Sequence, residues 1–213
     1  MAAAPQGRQR QTSARSRQAI LDAANGLLRS QPYREVSVES VMAKADLSRT
    51  IFYRHFDGMP SVALQLLTDL GGDVIELSSA FAHNALAARS GLDGPNSELI
   101  RDSLSQVVRF FTDQGPLVKA VADAAVEDED LEAGYEGFIR HFSAETGNAI
   151  AGLVKAGITD VPDPQATAEA LTAMNERYLL RTLGRHPQED PAVVLNTIHA
   201  IWARTLFSES LKV

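Results

Sequence analysis

Residues 37–56 read SVESVMAKADLSRTIFYRHF, and the spacing within them predicts two short helices joined by a tight turn. The first opens at Ser37, and its apolar Val38, Val41 and Met42 recur on one side. Ala45-Asp46-Leu47 is the turn. The second helix opens at Ser48, whose hydroxyl suits an N-cap because it can accept from a free backbone N–H. Its body, Arg49 to Phe56, is short, aromatic and basic. This is the pattern of a helix-turn-helix, in which the second helix enters the major groove of DNA.

Outward from this stretch, every periodic segment is helical. Residues 1–12 are Ala, Gln, Arg, Pro and Gly without periodicity and are expected to form a disordered basic arm. A helix over 13–30 places Ile20, Ala23, Ala24, Leu27 and Leu28 on one face and stops before Pro32. After Asp57-Gly58-Met59-Pro60, a long helix is expected over 60–88, carrying Leu64, Leu67, Val74, Leu77 and Phe81. A loop follows over 90–96. Ser97 to Thr112 is the next helix, broken at Gly115-Pro116 and resumed over 117–126. The acidic run 127–132 opens another, reaching about Lys155, where acids favour the positive helix start. Two final helices span 165–183 and 191–208. No segment alternates like a strand. The expectation is an all-α fold of about nine helices: a helix-turn-helix head over 13–59 and a larger body over 60–213.

Composition narrows the function classes. Hydrophobic residues are 45% of the 213-residue chain, and there is no cysteine. That excludes disulfides and thiolate metal sites. The acidic run lacks the alternating ligands and central Gly of a calcium loop. No signal peptide or apolar run long enough to span a membrane is visible, so a cytoplasmic protein without a membrane partner is expected. His83, His141, His186 and His199 are scattered, with no His-Glu-x-x-His, Gly-rich phosphate loop or Gly-x-Ser-x-Gly. Neither an enzyme nor a cofactor is expected. Net charge is −7, but residues 1–57 hold nine Lys/Arg against five Asp/Glu, and the remainder eleven against twenty-two. A basic head on an acidic body suits a protein that offers one end to DNA.

The chain resembles the tetracycline-repressor (TetR) family of bacterial regulators. The resemblance rests on AILDAANGLL (19–28) and on VSVESVMAKADLSRTIFYRHF (36–56). Val41-Met42-Ala43, Asp46-Leu47-Ser48 and Tyr53-Arg54-His55-Phe56 stand where that family has its second helix, its Gly-Val-Ser turn and its Tyr-x-His-Phe ending. Asp46 replaces the usual Gly, and Asp tolerates the left-handed conformation. The C-terminal half resembles the ethionamide-repressor-like branch, through Ala170-Leu171, Met174-Asn175-Glu176-Arg177, Ile201-Trp202, Phe110-Phe111 and Gly115. The resemblance implies a homodimer, a pseudo-palindromic operator of double-stranded DNA, and a small hydrophobic effector that releases the repressor.

On the second helix of the motif, Phe52 and Phe56 lie one turn apart and anchor to the core. Arg49, Thr50 and Tyr53 then point away together. Arg49 suits guanine O6 and N7, Thr50 a thymine methyl, and Tyr53 a sugar or phosphate. Ser37 and Ser48 suit phosphates near helix N-termini, and Arg54 belongs to the same basic stretch. His55 resembles the family's phosphate-contacting histidine. Met59-Pro60 stands where relatives carry a phosphate-clamping Lys, for which Arg8, Arg10, Arg15 and Arg17 can compensate.

In the body, Asn175 interrupts the apolar face formed by Ala168, Leu171, Tyr178 and Leu179, so a partner for its amide is required. A ligand or a neighbouring side chain can supply it. The resemblance places Phe110, Phe142, Thr146, Thr172, Asn175 and Trp202 around an effector cavity. Ser103 stands where relatives have a large aromatic, so the cavity should differ in shape. Leu171, Leu179, Leu183, Val194, Ile198, Ile201 and Leu206 make the last two helices rich enough to pair with a symmetry mate. Gly71-Gly72 is a possible soft point of the fourth helix. The competing reading is a helical protein-interaction module whose head does not read DNA.

Overall fold

The computed structural model describes residues 5–71 and 96–207. Among the described residues there are eight α-helices, one 3-10 turn and no strand: α1 (Pro5–Leu28), the 3-10 turn (Tyr33–Glu35), α2 (Val38–Ala45), α3 (Arg49–Phe52), α4 (Met59–Asp69), α5 (Asn96–Ala124), α6 (Glu129–Lys155), α7 (Pro164–Thr182) and α8 (Pro191–Phe207). The all-α expectation holds. The expected continuation of the fourth helix to residue 88, Gly72, His83 and the loop over 90–95 lie outside the described residues.

Packing divides the chain into two compact units, residues 1–69 with 120–135, and residues 70–119 with 136–213. The sequence reading put a boundary at Met59. Packing instead keeps all of α4 in the first unit, because Val62, Ala63, Leu66 and Leu67 are buried there.

In the first unit, α1 packs on α2, α3 and α4. Ile20, Leu21, Ala24 and Leu28 of α1 join Val41, Phe52 and Val62 in the core. Residues 5–12, expected to be a disordered arm, instead form the first turns of α1. Pro5 has no N–H to lose at a helix start, and the Gln and Arg that follow are good helix formers. Helix α4 begins with Ser61 folded back over it. The Ser61 hydroxyl accepts from the N–H of Asp57 (3.2 Å) and donates to the Gly58 carbonyl (2.8 Å).

The second unit is built from α7 and α8, which pack together, and the parts of α5 and α6 that belong to it. Trp202, Ile198, Leu179, Leu183, Leu153 and Ile150 are almost completely buried. Caps fix where the helices begin. The Asp163 side chain accepts from the N–H of Ala166 (3.0 Å) with Pro164 at the first turn of α7. The Asp190 side chain accepts from the N–H of Ala192 (2.8 Å) at the start of α8.

Helix α5 overturns the expected break at Gly115-Pro116: it runs unbroken to Ala124 with Pro116 inside it. Proline removes the N–H that would bond the carbonyl four residues earlier, here that of Thr112. The Gln188 side-chain amide supplies the missing donor, 3.0 Å from the Thr112 carbonyl, and also donates to the Leu183 carbonyl at 2.7 Å. Gly115 completes the fit. A Cβ there would lie 2.6 Å from the Leu183 carbonyl oxygen, so only glycine admits this approach.

Candidate nucleic-acid interface and ligand cavity

The turn between α2 and α3 sets the reading helix. Ser37 caps α2 through a reciprocal pair: its hydroxyl accepts from the Ser40 N–H (3.1 Å), and the Ser40 hydroxyl accepts from the Ser37 N–H (3.0 Å). At the other end Asp46 takes φ 53°, ψ 45°. This left-handed residue lets the N–H of Leu47 reach the Met42 carbonyl (3.1 Å), a helix-closing arrangement in which glycine is the usual residue.

Helix α3 is shorter than expected. Its regular part is Arg49–Phe52, and the chain to Phe56 closes in tighter turns, with the N–H of Arg54 on the Ile51 carbonyl and that of His55 on the Phe52 carbonyl. Ser48 occupies the N-cap position, yet its hydroxyl makes no capping bond. The amide it would serve, that of Ile51, is already on Ser48's own carbonyl at 2.9 Å.

Phe52 and Phe56 anchor this segment as expected. Both are buried, with ring centroids 5.8 Å apart. Arg17 of α1 lies over the Phe56 ring, 5.3 Å from its centroid. On the opposite side Ser48, Arg49, Thr50, Tyr53 and Arg54 are exposed, as is Ser37; Tyr53 keeps half its surface in water. His55 is only partly exposed, and its Nε2 lies 3.0 Å from the Ser16 hydroxyl. The imidazole therefore ties the turns that follow α3 to α1, a tether the sequence reading did not foresee.

Arg49 is the most engaged of the exposed side chains. Its Nη1 lies 2.7 Å from the Glu39 carboxylate. Its Nη2 donates to the Tyr53 hydroxyl at 3.2 Å. The guanidinium carbon lies 5.6 Å from the Tyr53 ring centroid. The Glu39 carboxyl is held below its ordinary range by a bond from its own backbone N–H and then by Arg49. The Arg49 guanidinium is pushed further up by its bond with Tyr53 and then by Glu39. Glu39 was missed in the sequence. It lies ten residues from Arg49, and no helical period links the two.

In the second unit, a cavity of 40 Å³ is lined by Phe110, Phe142, Thr172 and Asn175, together with Val107, Phe111, Phe138, Ile139, Glu176 and Leu179. Four of the six expected cavity residues thus meet. Thr146 and Trp202 are buried but stand outside the lining. Trp202 instead donates its indole N–H to the Asn175 side-chain oxygen at 3.2 Å. The partner that Asn175 requires on its oxygen is therefore a neighbouring side chain. The Thr172 hydroxyl is buried without any hydrogen-bond partner. Ser103 is buried and absent from the wall. Among the described residues no cluster of His, Asp or Glu could hold a metal, and no helix is long and apolar enough to cross a membrane.

A capped two-helix motif with an exposed basic face, in a chain whose helical body carries a small, mostly apolar pocket, is the arrangement of a DNA-binding transcriptional regulator. Residues 20–66 match the family model for bacterial regulatory proteins of the tetR family, and residues 100–208 that for the C-terminal domain of the transcriptional regulator EthR. The chain belongs to the tetR family, in the branch with an EthR-type body. The HTH-type transcriptional regulator EthR of Mycobacterium tuberculosis is 26% identical over 194 residues, 90% of this chain and 87% of that protein. The regulator of the same name from Mycolicibacterium smegmatis is 24% identical over 191 residues, 89% and 85% respectively. Solved structures agree in fold. A TetR-family regulator from Syntrophomonas wolfei matches with TM-score 0.67 at 14% identity, covering 94% of this chain and 99% of that one. SmeT, the repressor of a Stenotrophomonas maltophilia multidrug efflux pump, matches at 0.64 and 16% identity, covering 92% and 93%. These relatives are named as regulators, not as enzymes.

Proposed function

We propose that this regulator is a homodimeric repressor that binds a pseudo-palindromic operator and leaves it when a small lipophilic effector enters the α5–α6–α7 cavity. The observation that carries the reading is the exposed set Arg49, Thr50 and Tyr53, held out by the buried Phe52 and Phe56. Arg49 addresses guanine and Thr50 a thymine methyl in the major groove. Ser37, Ser48, Arg54 and Tyr53 flank them and bond phosphate or sugar. His55 does so through the ring nitrogen that Ser16 leaves free.

Two reading helices must lie about 34 Å apart, one turn of DNA, to engage both half-sites. Helices α7 and α8 join the two copies. Val193 and Ile201 are exposed there, at 54% and 38%, and Ala166, Ala170 and Ala173 leave α7 a shallow exposed side. The other apolar residues expected in this contact, Leu171, Leu179, Leu183, Val194, Ile198 and Leu206, are buried within the unit itself.

The cavity suits a ligand with an apolar body and one polar group. Its 40 Å³ holds only a few waters, so the aromatic side chains must swing for an effector to enter. Once inside, a polar atom that bonds the Thr172 hydroxyl relieves a buried group otherwise unpaired. Such a ligand releases DNA only if it prefers the conformation that does not bind the operator.

The test is selection of duplexes by the purified protein from a random pool at two salt concentrations. A palindromic winner is expected. Arg49→Ala should weaken it by about 1–3 kcal/mol, roughly 5- to 150-fold. Small lipophilic compounds that stabilise the protein against heat should release it from that duplex. Binding that ignores sequence and vanishes with salt would reject the proposal, since it reports phosphate attraction alone.

A further inference from the structure

We propose that Glu39 is a specificity-determining residue: it holds Arg49 as a reader of bases and keeps it from acting as a general phosphate contact. This rests on the reading of α3 as the DNA-contacting helix.

An exposed guanidinium has two kinds of acceptor on DNA. Phosphate oxygens are charged, present at every step, and carry no sequence information. Guanine O6 and N7 are neutral and specific. A free arginine is drawn to both, and its positive charge favours phosphate. In this protein Arg49 is not free. The Glu39 carboxylate of α2 lies 2.7 Å from its Nη1, and the pair is close to neutral for a phosphate at longer range. The same carboxylate repels phosphate directly. The guanidinium has five N–H donors, and the contacts to Glu39 and Tyr53 leave others to address a base edge.

The contacts also fix where those donors point. Arg49 is bounded on one side by Glu39 and on the other by the hydroxyl and ring of Tyr53, at 3.2 Å and 5.6 Å. Glu39 is itself steadied by its own backbone N–H and by Ser37, at the turn of α2 that Ser37 and Ser40 cap reciprocally. A long, rotamer-rich side chain is thereby ordered before DNA arrives, so less freedom is lost on binding. Glu39, Arg49 and Tyr53 are all exposed, so replacing Glu39 leaves the core intact.

The experiment compares the full chain with Glu39→Gln, Glu39→Asp and Arg49→Ala. Each is titrated against a duplex enriched by the wild type from a random pool and against a scrambled duplex, over a range of salt. Glu39→Gln should bind scrambled DNA tighter, roughly 3- to 10-fold, with a salt slope steeper by about one counterion. Its preference for the enriched duplex should fall about tenfold. Glu39→Asp should recover much of the preference. An unchanged preference and salt slope in Glu39→Gln, with Arg49→Ala still abolishing the preference, would overturn the role of Glu39 alone. An unchanged preference in Arg49→Ala would overturn the reading of α3 and this proposal with it. Thermal melts of each variant exclude misfolding as the cause.

Discussion

Tyr33 shows how a single residue records its surroundings. Burial, then Asp128 and Glu127 beside it, push its hydroxyl from the ordinary 10.0 up to about 12. The folded state therefore holds this proton more tightly than the unfolded chain. The resulting contribution is complete below about pH 10 and is lost as pH rises toward about 12. Partial exposure of the ring keeps the effect modest. Tyr33→Phe should flatten the decline in urea midpoint across that window, and equal alkaline slopes in the two proteins would reject the assignment. Asn175 teaches a related lesson. The sequence demanded a partner for a buried amide, and the indole N–H of Trp202, 27 residues away, meets its oxygen. The cavity's unsatisfied polar group is instead the neighbouring Thr172 hydroxyl.

At the scale of elements, the informative one is α5. A Gly-Pro pair normally ends a helix, and here the helix passes through it. The side chain that makes this possible, Gln188, belongs to the connection between α7 and α8. Gln188→Ala should leave the Thr112 and Leu183 carbonyls without that donor and cost about 1–3 kcal/mol, read as a drop in denaturation midpoint. A change within about 0.5 kcal/mol would mean that water replaces the amide and that α5 does not depend on it. The reading helix α3 departs in the other direction. Its regular part is a single turn, and what keeps it in place is the burial of Phe52 and Phe56, the Ser16–His55 tie and the packing on α1 and α2. So short a helix has no stability of its own.

For the whole molecule, the proposed repressor requires two copies, because one short reading helix covers only a half-site. Val193 and Ile201 are the large apolar side chains that α7 and α8 leave exposed. Replacing both with Asp should yield monomers in sedimentation velocity that still fold. Operator affinity should fall by more than any single phosphate contact can account for, because each head then binds alone. A dimer that survives the double substitution would move the contact away from α8.

The fold class was legible in the sequence because its signals are local. Apolar residues at helical spacing, Ser37 ahead of a helix, and an Asp able to take the left-handed turn act within four residues of one another, and α2 and the turn after it form where those signals lie. The exposed face of Arg49, Thr50 and Tyr53 was legible for the same reason, since helical period alone separates it from Phe52 and Phe56. What tertiary structure decided involves partners far apart in the chain. The passage of α5 through Pro116 depends on Gln188, the amide of Asn175 on Trp202, and the setting of Arg49 on Glu39. Which apolar residues of the last two helices stay exposed was likewise decided by packing, which buries Leu171, Leu179, Val194 and Ile198 and leaves Ile201 outside. A sequence displays the need for a hydrogen bond or for burial. Only the folded chain selects the group that meets it, because that choice rests on distances of a few ångströms between residues that no local period connects.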